Sequence, residues 1–206
     1  MHHLRFSRST RIIWLLEELG ADYKIVEHHR HEATNRSQED LKAVHPIAKA
    51  PAIEVDGRIM IESGAIIEYL CETHDGNLAV AAGHKDRSAY LEWLHFAEGT
   101  VAMPMLLTLL GPRFGGLDNL PIMKGFVDGE VSKLLGYIDG HMEGREFLVG
   151  DAFTGADINM EYLLELGNLV GLLEPHKNAK AYLGRLMARD AYKKAIEIGG
   201  PLTPAG

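Results

Sequence analysis

Cysteine is almost missing from this chain: its 206 residues include one, Cys71. A single thiol excludes an internal disulfide framework and a CxxC redox or zinc pair, and it suits a reducing compartment. An excess of positive charge is missing too. The 21 Lys and Arg are outnumbered by 29 Asp and Glu, for a net charge of -8. That balance argues against a nucleic-acid surface, which needs clustered basic side chains. No unbroken apolar run reaches membrane-spanning length, and the N-terminus lacks a signal peptide's charged start and apolar centre. There is no internal repeat and no low-complexity tract. The expectation is a cytoplasmic protein with no membrane and no nucleic-acid partner. What is present is an ordinary globular composition, 46 % apolar and 24 % charged, enough to bury a sizeable core in one or two domains.

The first third mixes strand and helix signals. A short strand, His2 to Phe6, leads through Ser7-Arg8-Ser9-Thr10 into Ile12, Ile13, Leu15, Leu16 and Leu19. That spacing predicts a helix closed by Gly20. Asp22 to Glu27 reads as a second strand, and Ser37 to Val44 as a short helix opened by a Ser37-x-x-Asp40 cap. A hairpin follows, turning at Asp56-Gly57. Glu62-Ser63 then begins a helix that runs on through Ile66, Ile67 and Leu70 to about His74. The predicted order is β-α-β-α-β-β-α, over residues 1–76. Small residues from Leu78 to Gly83 read as a linker. Beyond them, residues 84–206 carry apolar positions at helical spacing only, and an all-α domain is expected. Within it, Thr154 and Asp157 have the spacing of a capping box, with Phe153 and Ile158 placed as its hydrophobic staple.

The stretch HPIAKAPAIEVDGRIMIESGAIIEYL, residues 45–70, asks for a ligand. A strand led by Pro51, an Asp-Gly turn, a second strand and a helix start at Glu62-Ser63 form one unit. A serine there offers a hydroxyl and first-turn N–H groups to an anion, or else caps its own helix. Ser7 and Ser9 precede the first helix, where a hydroxyl either caps or stabilises an anionic ligand atom. His28, His29 and His31 are dense but lack a metal-ligand spacing on one face, and no metal site is expected. Cys71 falls on the inner face of its helix as an apolar filler. Pro104 should kink its helix.

Four motifs in this order and spacing resemble the soluble glutathione S-transferases: Ser7-Arg8-Ser9 before WLLEEL, HPIAKAP, Glu62-Ser63, and the Thr154–Asp157 box. The likeness covers essentially the whole chain and is strongest to the serine-type bacterial and fungal branch. It implies an α/β thioredoxin-like N-terminal domain plus an all-α C-terminal helical domain. It implies that the Ala50–Pro51 peptide bond is cis, so that Ala50 pairs through its backbone with the cysteinyl part of glutathione. By the same likeness, Ser63 and Glu62 hold the γ-glutamyl end, and Lys49 faces the glycyl carboxylate or stands as a solvated charge; His45 is a weaker candidate. Ser7 activates the thiol, with Ser9 in reserve and Arg8 beside them. Phe96, Thr100 and Met103 line a pocket for an apolar electrophile, with core packing as the competing role. Glutathione is then a co-substrate and no other cofactor is expected. The implied activity is conjugation of glutathione to an electrophile by a detoxifying homodimer. A glutathione-dependent peroxidase or isomerase, or a non-catalytic binding protein on the same fold, is the alternative.

Overall fold

The computed structural model describes residues 1–31, 37, 39–76 and 78–202. Its elements run β1 (His2–Leu4), α1 (Ser9–Leu19), β2 (Val26–His28), α2 (Glu39–Val44), β3 (Ala52–Val55), β4 (Arg58–Ile61) and α3 (Ser63–Thr73). Then come α4 (Arg87–Phe96), a π-helical turn (Ala97–Val101), α5 (Ala102–Leu110), α6 (Pro121–His141), α7 (Gly155–Leu169), α8 (Lys177–Met187) and α9 (Asp190–Gly199). The β-α-β-α-β-β-α order expected of the first third is the one observed. The chain forms two compact units, Met1–Ala79 with Ala188–Gly206, and Val80–Met187. The helical domain expected over 84–206 therefore differs at its end, because the segment from Ala188 on belongs to the first unit.

In the first unit the sheet order is β2-β1-β3-β4. β1 runs parallel to β2, with His3 opposite Glu27, and antiparallel to β3. β3 and β4 form a hairpin closed by Val55 opposite Arg58, and both turn residues, Asp56 (φ 51) and Gly57 (φ 74), are left-handed. That is a two-residue primed turn, whose twist matches the strands. β1 and β2 are shorter than their sequences suggest. β1 ends at Leu4 because Phe6 turns the chain away at φ 57, and three residues of β1 can partner only three of β2.

α1 buries Ile12, Ile13, Leu15 and Leu16 and ends at Gly20, whose left-handed φ of 62 lets its N–H bond Leu16 O and Glu17 O. Such a glycine end avoids the Cβ clash of that conformation. α9 docks on α1. Trp14 meets Tyr192 edge-on at 5.1 Å, and Arg189 grips both carboxylate oxygens of Glu18 at 2.6 and 2.8 Å. At Gly199 a Cβ would stand 2.7 Å from Ile13 Cδ1 and 3.1 Å from His3 Cε1, so the missing side chain is what admits the contact. At the expected Ser37–Asp40 cap of α2, Ser37 Oγ donates to Ala48 O at 2.6 Å, and Asp40 accepts from His28 Nδ1 at 2.7 Å.

The second unit holds only helices among the described residues. Its 24-residue run Arg87–Leu110 is one continuous helix, long and apolar enough by length and composition to cross a membrane. Apolar residues there are interrupted by Glu92 and Glu98, so counting unbroken runs missed it. Tyr90, Trp93, Leu94, Val101 and Met105 are buried, and α7 packs against it, as the core helix of a helical bundle does. Pro104, where a kink was expected, follows a local change of winding. Its missing N–H falls opposite the Thr100 carbonyl, and the turn before it widens so that Ala102 N–H bonds Ala97 O, five residues back. A π turn is a recognised way to absorb such a defect. At the start of α7 the capping box is complete, and Asp157 also accepts from Leu148 N–H at 2.9 Å and Tyr182 OH at 2.6 Å.

Candidate functional site

The turn between β1 and α1 gathers three polar side chains. Ser7 is half-buried, Ser9 and His3 fully buried. Ser7 Oγ donates to Leu4 O at 2.6 Å, lies 2.8 Å from Ser9 Oγ, and accepts the Ser9 N–H at 3.2 Å. Ser9 Oγ accepts the Leu4 N–H at 3.1 Å and lies 3.0 Å from Leu4 O and 2.8 Å from His3 Nδ1. His3 Nε2 meets Gly199 O at 2.9 Å. Since a carbonyl only accepts, neutral His3 carries its proton on Nε2 and takes the Ser9 hydroxyl proton on Nδ1. Burial lowers the His3 pKa, against the Gly199 bond. The two serines therefore have different surroundings: Ser9 is enclosed and Ser7 is the outer member. Arg8, half-buried, occupies the position before α1 with no side-chain cap there.

The second cluster lies along the hairpin. The Ala50–Pro51 peptide bond is cis, directly before β3. After β4, Glu62 takes φ 76 and ψ 111. A non-glycine residue at positive φ is costly, and such residues concentrate at ligand sites. The bend makes Ser63 the first residue of α3, buried, with no side chain capping the helix start. So Ser63 does not serve as the conventional cap of its own helix. The first-turn N–H groups carry the positive end of the helix dipole, a setting that favours an anion. Lys49 is exposed, and half-buried His45 accepts the Ile47 N–H at 3.3 Å.

The remaining candidates belong to other elements. Phe96 packs edge-on against Trp93 and Tyr137 in an aromatic group, Thr100 is exposed on the π turn, and Met103 is 65 % exposed. His28 sits between His2 at 2.9 Å and Asp40 at 2.7 Å. Among the described residues no three His, Cys, Asp or Glu side chains group as a metal set. Cys71 is buried and its thiol is pushed up to about 12 by that burial, with Glu72 and Glu68 adding to it. Sequence reasoning missed His3. Its partners Ser9 and Gly199 lie 6 and 196 positions away, and no local pattern joins them.

Comparison with known proteins agrees with this geometry. Residues 1–72 match the glutathione S-transferase N-terminal domain, and residues 101–190 match the C-terminal domain of the same enzymes. The chain is 31 % identical over 211 residues to glutathione S-transferase 3 of Schizosaccharomyces pombe, covering 96 % of this chain and 86 % of the relative. A solved glutathione S-transferase from Actinobacillus pleuropneumoniae is 30 % identical, with a TM-score of 0.88 over 100 % of this chain and 95 % of that one. A sphingomonad glutathione S-transferase, solved in complex with glutathione, is 26 % identical with a TM-score of 0.80, over 97 % of this chain and 98 % of that one. The chain belongs to the glutathione S-transferase family.

Proposed function

We propose that this chain is a glutathione transferase that ionises the glutathione thiol at Ser7 and adds the sulfur to an apolar electrophile. The observation that carries the reading is the start of α3, where Glu62 at positive φ delivers a buried Ser63 to a helix end that no side chain caps. The γ-glutamyl carboxylate takes the Ser63 hydroxyl and first-turn N–H groups, and Glu62 balances the adjacent ammonium. The backbone of Ala50, ahead of Pro51, pairs with the cysteinyl unit as an added strand. Lys49 faces the glycyl carboxylate. The sulfur then lies at the start of α1, where the Ser7 hydroxyl and the helix dipole stabilise the thiolate, with Arg8 adding positive charge. A free thiol titrates at about 8.5 and is mostly protonated at neutral pH, so a donor at the sulfur raises the reactive fraction. Ser9, enclosed and committed to His3 and Leu4, takes a supporting part.

The electrophile is assigned to Phe96, Thr100 and Met103 of the helical unit. Binding and orienting both reactants supplies the rest of the acceleration. Detoxification in the cytoplasm by a homodimer, with glutathione as the co-substrate, is the setting this family membership supports. Calorimetric titration with glutathione tests the reading. Ser63→Ala should weaken binding by about 1.5–3 kcal/mol, the range for a hydrogen bond to a charged group. An unchanged dissociation constant would remove α3 from the binding site. A parallel screen of an aryl halide and an organic hydroperoxide separates conjugation from peroxide reduction.

A further inference from the structure

We propose that His3 is a positioning residue that receives the glutathione thiol's proton through Ser9 and Ser7, so that thiolate forms without releasing a proton to solvent. The inference rests on the reading of Ser7 as the residue at the sulfur. Its basis is the unbroken chain Ser7 Oγ to Ser9 Oγ to His3 Nδ1, with both links at 2.8 Å, anchored beyond the ring by Gly199 O at 2.9 Å.

The direction of these bonds matters. With His3 neutral, Nε2–H is committed to the Gly199 carbonyl, so Nδ1 must accept, and Ser9 donates to it. Ser9 then offers only lone pairs to Ser7, and the Ser7 proton points inward, to Leu4 O or Ser9 Oγ. In that state a Ser7 hydroxyl turned out to a thiolate would leave Ser7 and Ser9 facing each other with lone pairs alone. Reversing every bond removes the conflict. The thiol proton passes to Ser7 Oγ, the Ser7 proton to Ser9 Oγ, and the Ser9 proton to His3 Nδ1. The S–H bond breaks, an N–H bond forms, and each hydroxyl ends with one proton, as it began. The product is a thiolate accepting from Ser7, Ser7 accepting from Ser9, Ser9 accepting from an imidazolium, and the Nε2–H still on Gly199 O.

The surroundings fit both states. Burial keeps the resting ring neutral and able to accept. The Gly199 carbonyl from α9 and Glu27 on β2 favour the charged ring, while Arg5 and His28 oppose it.

The test measures two quantities on the same complexes: thiolate absorbance per bound glutathione, and protons released on binding, by calorimetry in buffers of different ionisation enthalpy. In the unaltered protein near pH 7 the thiolate formed should exceed the protons released. In His3→Gln, which keeps a donor for Gly199 but has no base, and in Ser9→Ala, the thiolate pKa should rise by about one unit or more. Thiolate at fixed pH then falls about tenfold, and any that forms should release one proton each. Ser9→Ala, a near-isosteric change, keeps the test decisive where His3→Gln unfolds. The double variant should match the single ones, because both cut one chain. One proton released per thiolate in the unaltered protein would overturn the proposal. So would a normal thiolate pKa in both variants while Ser7→Ala raises it, and that pattern would leave Ser7 in place. If Ser7→Ala itself leaves the thiolate pKa unmoved, the reading of Ser7 falls and the proposal with it.

Discussion

At the scale of the residue, the same chemical group acquires different work from its surroundings. Ser7 and Ser9 are two positions apart and chemically identical, so only the family likeness, and nothing in their own chemistry, ranked Ser7 first and Ser9 in reserve. The structure separates them by burial and partners: Ser9 is fully enclosed between Leu4 and His3, and Ser7 stands at the outer end. Cys71 illustrates the opposite case, a reactive group made inert. Its thiol lies in the interior of α3 with its pKa pushed up to about 12 by burial, reinforced by Glu72 and Glu68. Only the thiolate attacks a disulfide reagent. At pH 8 the native protein should therefore react with an aromatic disulfide roughly a thousandfold more slowly than a free thiol, because the Cys71 thiol titrates at about 12 and a free thiol about three pH units lower. In denaturant one thiol should titrate at the ordinary rate. Fast labelling of the folded protein would place Cys71 outside the core. With Cys71 inert and serine before α1, the chain has no thiol of its own to exchange, and glutathione must bring the reacting sulfur.

At the scale of the element, the box at α7 does more than end a helix. Asp157 is fully buried and accepts four hydrogen bonds, from Leu148 N–H, Thr154 N–H, Thr154 OH and Tyr182 OH. Burial raises its pKa, and these four donors oppose the rise. A helix cap alone contributes about 0.5–2 kcal/mol. Here Asp157→Ala also strands buried donors, at about 1–3 kcal/mol each. The loss of stability in denaturant unfolding should thus reach about 3–5 kcal/mol, with glutathione affinity of the folded fraction unchanged. A loss inside the simple capping range would mean that Leu148 and Tyr182 find other partners. The box was legible because it is local: four residues, fixed offsets, one mechanism. The Asp56-Gly57 hairpin and the apolar stripe of α1 were legible for the same reason. Ser37-x-x-Asp40 had an equally good local pattern, which could not show that Ala48 and His28, both distant in sequence, would bond its two side chains. At Pro104 the preceding backbone widens into a π turn, a detail of winding that the proline alone did not reveal. Sequence shows where a local rule applies; it does not show which distant group will compete.

At the scale of the whole molecule, the chain's last helix returns to its first unit, and a buried histidine lies at that joint. His3 Nε2 bonds Gly199 O at the end of α9, which ties the ring's protonation to how the first unit holds together. Both His3 and His2 have pKa values lowered from the ordinary histidine range, chiefly by burial. The unfolded chain therefore binds protons at these rings more readily than the native protein does. Stability must rise with pH across this window. It is fully present above about 6.5, the unfolded value, and is lost as pH falls from there through the lower native values. Each ring that is neutral when folded and charged when unfolded contributes a slope of up to about 1.4 kcal/mol per pH unit. Glu17, Glu27 and Asp40 have lowered pKa values, so they hold their contribution to lower pH and lose it only as pH falls below the ordinary carboxylate range. Asp157 has the reverse sign, its raised pKa making its contribution grow as pH falls. Chemical denaturation at pH 7.5, 6.5 and 5.5 should accordingly show stability falling before any of the three lowered carboxylates titrates. His3→Gln should reduce that slope, because it removes one of the two rings. A flat profile from 7.5 to 5.5 in the unaltered protein would show that His3 and His2 take up protons as easily folded as unfolded. An equal slope with and without His3→Gln would assign the effect to His2, whose ring meets His28 across the parallel pair β1 and β2.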